Sequence, residues 1–135
     1  MEVLTVQATV ENMDIVIGFV NQQLSALNCS PGIRHQIDAA VDEIFGNIAR
    51  YAYPSEAGHC TVSVETGQAP PWVAIRFTDQ GIPYDPLSTR APDITLPPEK
   101  RPIGGLGVFM VRKIMDEVKY EFTGGKNTLI IRKRL

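Results

Sequence analysis

The sequence predicts an α+β fold: a two-layer sandwich of a mostly antiparallel mixed sheet with its helices on one face. Two observations predict it. The hydrophobic period switches repeatedly between two and about 3.6 residues, which separates strands from helices. The resulting order is β-α-α-β-β-loop-α-β-β, with strands and helices grouped in runs.

Residues 3–10 (VLTVQATV) alternate apolar and polar with β-branched content, the pattern of a half-buried strand. From Glu11 to Leu27 the period changes, and Ile15, Phe19, Val20, Leu24 and Leu27 form the stripe of an amphipathic helix. Ser30-Pro31 starts a second helix, with Ser30 as N-cap and Pro31 at the first position, where a missing N–H costs nothing. That helix is expected to run to about Ala52, ahead of Pro54, burying Ile33, Ile37, Ala40, Val41, Ile44 and Ile48. Cys60–Glu65 and Trp72–Thr78 read as strands joined by a turn over 66–71. A third helix opens at Leu106 and carries Val108, Phe109, Val111, Ile114 and Met115. Val118–Phe122 and Thr128–Arg132 close the chain as a hairpin around Gly124-Gly125.

Composition bounds the function without naming it. With 135 residues the chain supports one core, read as a single domain over 1–135. A 44% hydrophobic content and a net charge of -2 exclude disorder and a general nucleic-acid binder, whose affinity rests on neutralised phosphates. No apolar run is long enough to span a membrane, and the N-terminus has no basic leader. Cys29 and Cys60 make neither a disulfide framework nor a metal spacing, so a cytoplasmic setting is expected. His35 and His59 are isolated, and Arg132-Lys133-Arg134 reads as a solvated strand end. Six of the ten prolines fall between Pro83 and Pro102, forbidding a long helix or a central strand there. A structureless stretch of that length in a small domain is usually functional or disordered.

Four features could carry chemistry. Glu43 and Asn47 lie four apart on the second helix and share a face. A carboxylate beside a carboxamide oxygen suits a general base next to a hard-cation ligand, although such pairs also occur on solvated faces. Asp79-Gln80-Gly81-Ile82-Pro83 follows a strand. The carboxylate can accept from an exocyclic amine and the glycine permits close backbone approach, while a plain turn uses the same residues. Gly104-Gly105-Leu106-Gly107 opens the third helix, where free N–H groups and the helix dipole favour phosphate. Thr128, on the last strand, could join Asp79 at a base-recognition site, or simply suit a strand.

In combination, Glu43-x-x-x-Asn47, Asp79-x-Gly81-x-Pro83, the long loop, Gly104-Gly105-Leu106-Gly107 and Thr128 resemble the GHKL ATPase superfamily with its Bergerat nucleotide site. The stretches from Glu43 to Tyr53 and from Gly104 to Val118, with proline at 83, look like the stand-alone bacterial anti-sigma-factor serine/threonine kinases. The resemblance implies ATP and Mg²⁺ as cofactors, with Asn47 on the metal and Glu43 as catalytic base. It implies that Asp79 meets the adenine amino group, helped by Gly81 and Thr128. It implies that Gly104, Gly105, Leu106 and Gly107 meet the phosphates, and that about 84–103 forms the ATP lid. The implied partners are ATP or ADP, an anti-sigma-factor antagonist that is phosphorylated, and a sigma factor that is sequestered. Neither nucleic acid nor membrane is contacted directly, and a homodimer is part of the expectation. Two departures stand out: Tyr51 where the family often has His, and Ile103 where a basic residue often precedes the glycines. Arg101 or Lys100 is then expected to reach the phosphates. These departures keep open a second expectation, a catalytically weak ATP-dependent protein-binding switch of the same fold. The catalytic domain of a histidine kinase is a third.

Overall fold

The computed structural model describes residues 1–85 and 105–135. Its strands are β1 (Glu2–Gln7), β2 (His59–Gln68), β3 (Pro71–Asp79), β4 (Glu117–Thr123) and β5 (Lys126–Arg134). Its helices are α1 (Met13–Leu24), α2 (Pro31–Asn47) and α3 (Gly105–Ile114). The expected α+β class is what the structure shows. The sheet order is β1-β2-β3-β5-β4 and every neighbouring pair is antiparallel, so the expected mixed character is absent among the described strands.

Period two decides which face is buried. Val73, Ile75, Phe77 and Asp79 of β3 share a face with Cys60, Val62 and Val64 of β2 and with Asn127, Leu129 and Ile131 of β5. The helices cover this face. Val16, Val20 and Leu24 of α1 meet Ile37, Ala40, Val41, Ile44 and Phe45 of α2 in one core, which Val111 of α3 and Met115 join. Ile15, expected in the α1 stripe, is 53% exposed, because the buried row runs one residue later at i, i+4 and i+8.

The ends of the elements have local causes. Ser30 Oγ accepts from the Ile33 N–H at 3.3 Å, and Pro31 occupies the first turn of α2. Asn28 turns the chain out of the preceding 3₁₀ turn (Ser25–Leu27) at a φ of 51°. Gly124 and Gly125 both have positive φ, 62° and 77°, as a two-residue primed hairpin turn requires. The β2–β3 link is shorter than expected. Pairing continues through Gly67↔Trp72 to Gln68↔Pro71, leaving only Ala69 and Pro70 between the strands. A Cβ on Gly67 would lie 2.1 Å from Trp72 Nε1, so the indole lies over the glycine, while Arg132 stacks on the indole at 4.7 Å. Lys133 is not a solvated end residue either: its Nζ donates to the Ile114 carbonyl at 2.6 Å, capping the end of α3.

The α-helical part of α2 stops at Asn47, and a π turn (Ile48–Ala52) follows where plain helix was expected. This wider turn is tied down. Ala52 O accepts from the Ile82 N–H at 2.9 Å. Tyr53 Oη accepts from the Gln80 N–H at 2.8 Å and donates to His59 O at 2.7 Å. The end of α2, the start of β2 and the end of β3 are thereby held together.

The face assignment predicts unequal costs for two adjacent residues. Ile131→Ala, in the core, is expected to lower unfolding free energy by about 2–5 kcal/mol. Ile130→Ala, on the helix-free face, is expected to cost about 1 kcal/mol or less. Urea unfolding of the two variants measures both, and equal losses would contradict the assignment.

Candidate functional site

The end of α2 and the ends of β3 and β5 converge on a cleft of about 310 Å³. Its walls are mostly apolar: Ile44 and Ile48 on one side, Phe77 and Leu129 below, Ile82 and Val108 at the rim. Polar side chains enter at two places. Asp79 and Asn127, joined by Tyr120, form one group, and Asn47 forms the other.

The first group follows from strand register. Asp79 stands opposite Asn127 in the β3–β5 ladder, so both point to the helix side, and each is 6% exposed. Asp79 Oδ1 accepts from the Gly81 N–H at 2.8 Å and from Asn127 Nδ2 at 3.0 Å. Asn127 Nδ2 also donates to Ile82 O at 2.9 Å, and Asn127 Oδ1 accepts from the Tyr84 N–H at 3.2 Å and from the Tyr120 hydroxyl. Both bonds to Asp79 fall on one carboxylate oxygen, and Oδ2 accepts none of the described bonds. Burial pushes the Asp79 carboxyl above the usual aspartate range, with the two hydrogen bonds pulling the other way. Beside it in the ladder, the Cys60 thiol is pushed up to about 12, mainly by burial, which makes it an unreactive core residue.

Gly81 is required here for a reason the sequence does not show. A Cβ on it would lie 2.3 Å from Ala52 O, so glycine lets the post-strand loop press against the π turn. The expected supporting residue, Thr128, is not in this group. It stands opposite Thr78 and Glu121, on the helix-free face, in a row continued by Thr61 and Thr5. Asn127, one residue earlier, takes the place beside Asp79. Asparagine is depleted in strands, and Asn127 lies two residues after the Gly-Gly turn, so it reads as part of the turn. The period-two pattern of β5, with Leu129 and Ile131 inward, is the signal that would have found it.

The second group joins Glu43 and Asn47, as their spacing predicts: Asn47 Nδ2 donates to Glu43 Oε1 at 3.2 Å. This bond uses the amide's donor end and leaves Asn47 Oδ1 for a cation. Among the described residues no three His, Cys, Asp or Glu side chains gather into a metal cluster. A single amide oxygen fits Mg²⁺, which takes few protein ligands and completes its shell with phosphates and water. The Glu43 carboxylate lies against the first turn of α3. A Cβ on Gly107 would come within 1.9 Å of Glu43 Cδ and Oε1, so a side chain there would displace the Glu43 carboxylate.

Gly105, Leu106 and Gly107 form the opening of α3, as expected. Gly104, Arg101, Lys100 and Ile103 lie outside the described residues, as does the expected lid over 84–103 apart from Tyr84 and Asp85. Tyr51 lines the cleft and is 43% exposed. No helix among the described residues is long and apolar enough to cross a membrane.

Comparison with known proteins finds relatives of the chain and of its fold. Serine-protein kinase RsbW of Bacillus cereus strain G9842 is 27% identical over 95 residues. RsbW of strain AH187 and RsbW of Bacillus anthracis are each 26% identical over 95 residues. Each match covers 67% of this chain and 58% of the relative, so the chain matches less than two-thirds of the relatives' length. A crystal structure of the RsbU and RsbW domains of a Mycobacterium tuberculosis protein superposes with a TM-score of 0.63 at 15% identity. It covers 100% of this chain and 33% of that one, a likeness of fold. The family model for the histidine kinase-like ATPase domain matches residues 6–133, and this chain belongs to that family.

Proposed function

We propose that this domain binds ATP with Mg²⁺ and transfers the γ-phosphoryl group to a serine or threonine of a small antagonist protein. In its free state it sequesters a sigma factor. The observation that carries the reading is the division of the cleft: one carboxylate in an apolar pocket at one end, an amide–carboxylate pair beside a glycine-opened helix at the other. The names of the relatives support a serine-protein kinase. The sigma factor and its antagonist come from the resemblance to anti-sigma kinases. A cytoplasmic homodimer belongs to the same reading, and sedimentation of the purified protein tests the dimer.

The roles follow from the chemistry. Asp79 Oδ2 accepts the adenine amino group, and the apolar walls take the faces of the ring. Asn47 Oδ1 holds Mg²⁺, which when bound neutralises phosphate charge. The N–H groups that open α3 meet the phosphates. Glu43 takes the proton of the attacking hydroxyl as the new O–P bond forms and the bond to the ADP oxygen breaks. Transfer of this kind needs mainly positioning and charge neutralisation, which these residues provide. Arg101 is assigned to the phosphates as well.

A second reading, an ATP-driven protein-binding switch with weak catalysis, is favoured by Tyr51 in the cleft wall. Incubation with labelled ATP and a candidate antagonist from the flanking genes decides between them. Rapid serine or threonine labelling supports the kinase, and binding without labelling supports the switch.

Four outcomes are expected. Glu43→Gln retains ATP binding by calorimetry and loses phosphate transfer by about 10²–10⁴-fold. Gly107→Ala gives the same split, because the new methyl displaces the flexible end of Glu43 rather than the backbone. A fall in ATP affinity equal to the fall in rate would contradict that account. Asp79→Asn keeps both bonds to the remaining side-chain oxygen and removes a desolvated charge. Its Tm at neutral pH is expected to hold or rise while ATP affinity falls about tenfold or more. The sign follows from linkage. A raised folded-state pKa favours the neutral carboxyl, so the stability linked to Asp79 is present at acid pH and is lost as pH rises through the folded value. ATP affinity runs the opposite way. It is expected to fall on acidification at a higher pH than an ordinary aspartate would give, read by titrations across the acid range.

A further inference from the structure

We propose that Tyr120 is a positioning residue for base selection, its hydroxyl acting through Asn127 to fix the Asp79 carboxylate. The proposal rests on the ATP-binding reading and adds to it the residue that sets how sharply the base is read.

An asparagine amide fills nearly the same volume either way round, so its neighbours decide which end faces which. Here the assignment is forced. Nδ2 faces three acceptors, Asp79 Oδ1 at 3.0 Å, Ile82 O at 2.9 Å and, more distantly, Gly81 O at 3.4 Å. Oδ1 faces two hydrogens, the Tyr84 N–H at 3.2 Å and the Tyr120 hydroxyl. Reversed, the amide oxygen would face a carboxylate and a carbonyl in a buried site, with no hydrogen between them.

The two donors are unequal. The Tyr84 N–H belongs to an exposed residue of the post-strand loop. Tyr120 belongs to β4, the edge strand beside β5, and is held in its ladder opposite Leu129. A tyrosine phenol keeps its proton at neutral pH, and burial pushes this one higher still, so the hydroxyl is available as a donor. Tyr120 therefore supplies the rigid half of the lock. The lock holds Asp79 Oδ1 and so directs Oδ2 into the cleft. A carboxylate held in one orientation distinguishes a purine that carries a 6-amino donor from one that does not. A carboxylate free to rotate distinguishes them less.

The test compares ATP with purine riboside triphosphate, which lacks the 6-amino group, on the full chain by calorimetry. The wild type is expected to prefer ATP by about tenfold or more. Tyr120→Phe, with its fold checked by circular dichroism, is expected to narrow that preference about threefold or more, through weaker ATP binding and unchanged affinity for the analogue. Equal weakening of both ligands would make Tyr120 a packing residue and overturn the proposal, as would an unchanged preference. A wild type that binds ATP without preferring it overturns the proposal alone. A wild type that binds neither triphosphate overturns the ATP-binding reading itself. A second measurement needs no variant: the Asn127 side-chain amide protons should give dispersed, slowly exchanging NMR signals in the free protein. Fast exchange would overturn the lock.

Discussion

The bond from Asn127 Nδ2 to Asp79 Oδ1 joins the ends of β3 and β5 at the point where the sheet meets the end of α2. Much of the cleft depends on it. It holds a buried carboxylate in place, and the same amide reaches the Ile82 carbonyl and so fixes the loop after β3. That loop is pinned from the other side by Ala52 O and Tyr53 Oη. Two strands, a π turn and a loop therefore share one small polar network inside an apolar shell. Such networks are stable when every member is satisfied and costly when one is not. The Asp79 oxygen left without a described partner is the exception, and it is where a ligand would complete the network.

The two ends of the cleft are built on different principles. At the strand end, a fixed carboxylate acceptor is surrounded by apolar walls, where hydrogen bonds are strong and water competes little. At the helix end, Glu43 and Asn47 sit on one rigid helix, so their separation is set by the helical repeat rather than by loop conformation. The π turn between the two ends lets Tyr51 and Ala52, adjacent in sequence, both face the cleft. π turns inside helices are frequent at functional sites because they re-aim side chains without breaking the helix.

Much of this was legible in the residues. The Glu43–Asn47 pair follows from a spacing of four on a helix, and the Gly124-Gly125 hairpin from the backbone angles that only glycine adopts readily. Element order and type follow from period. What was not legible depends on contacts between distant segments. Period two puts Asn127, not Thr128, on the inward row with Leu129 and Ile131, but only the register of β3 against β5, strands far apart in the chain, sets it opposite Asp79. A helical stripe read from apolar residues alone can be off by one position, as it is in α1, where Ile15 is exposed and Val16 is buried. That a methyl on Gly81 would meet the Ala52 carbonyl, contributed by another element, is a second demand for glycine that the sequence does not state. The π turn replaced plain helix because the carbonyl of Ala52 bonds across to Ile82, a tertiary demand with no local signature.

The cleft is assembled from residues between Ile44 and Leu129, so no part of it exists before α2, the central strands and α3 have docked. A nucleotide that binds there binds the folded chain and not the unfolded one. By mass action, a ligand present at about 100 times its Kd adds about 2.7 kcal/mol to folding stability. That is a large fraction of the roughly 5–15 kcal/mol typical of a domain. For a chain that binds nucleotide in this cleft, depletion of the nucleotide would raise the unfolded fraction and expose the chain to proteolysis.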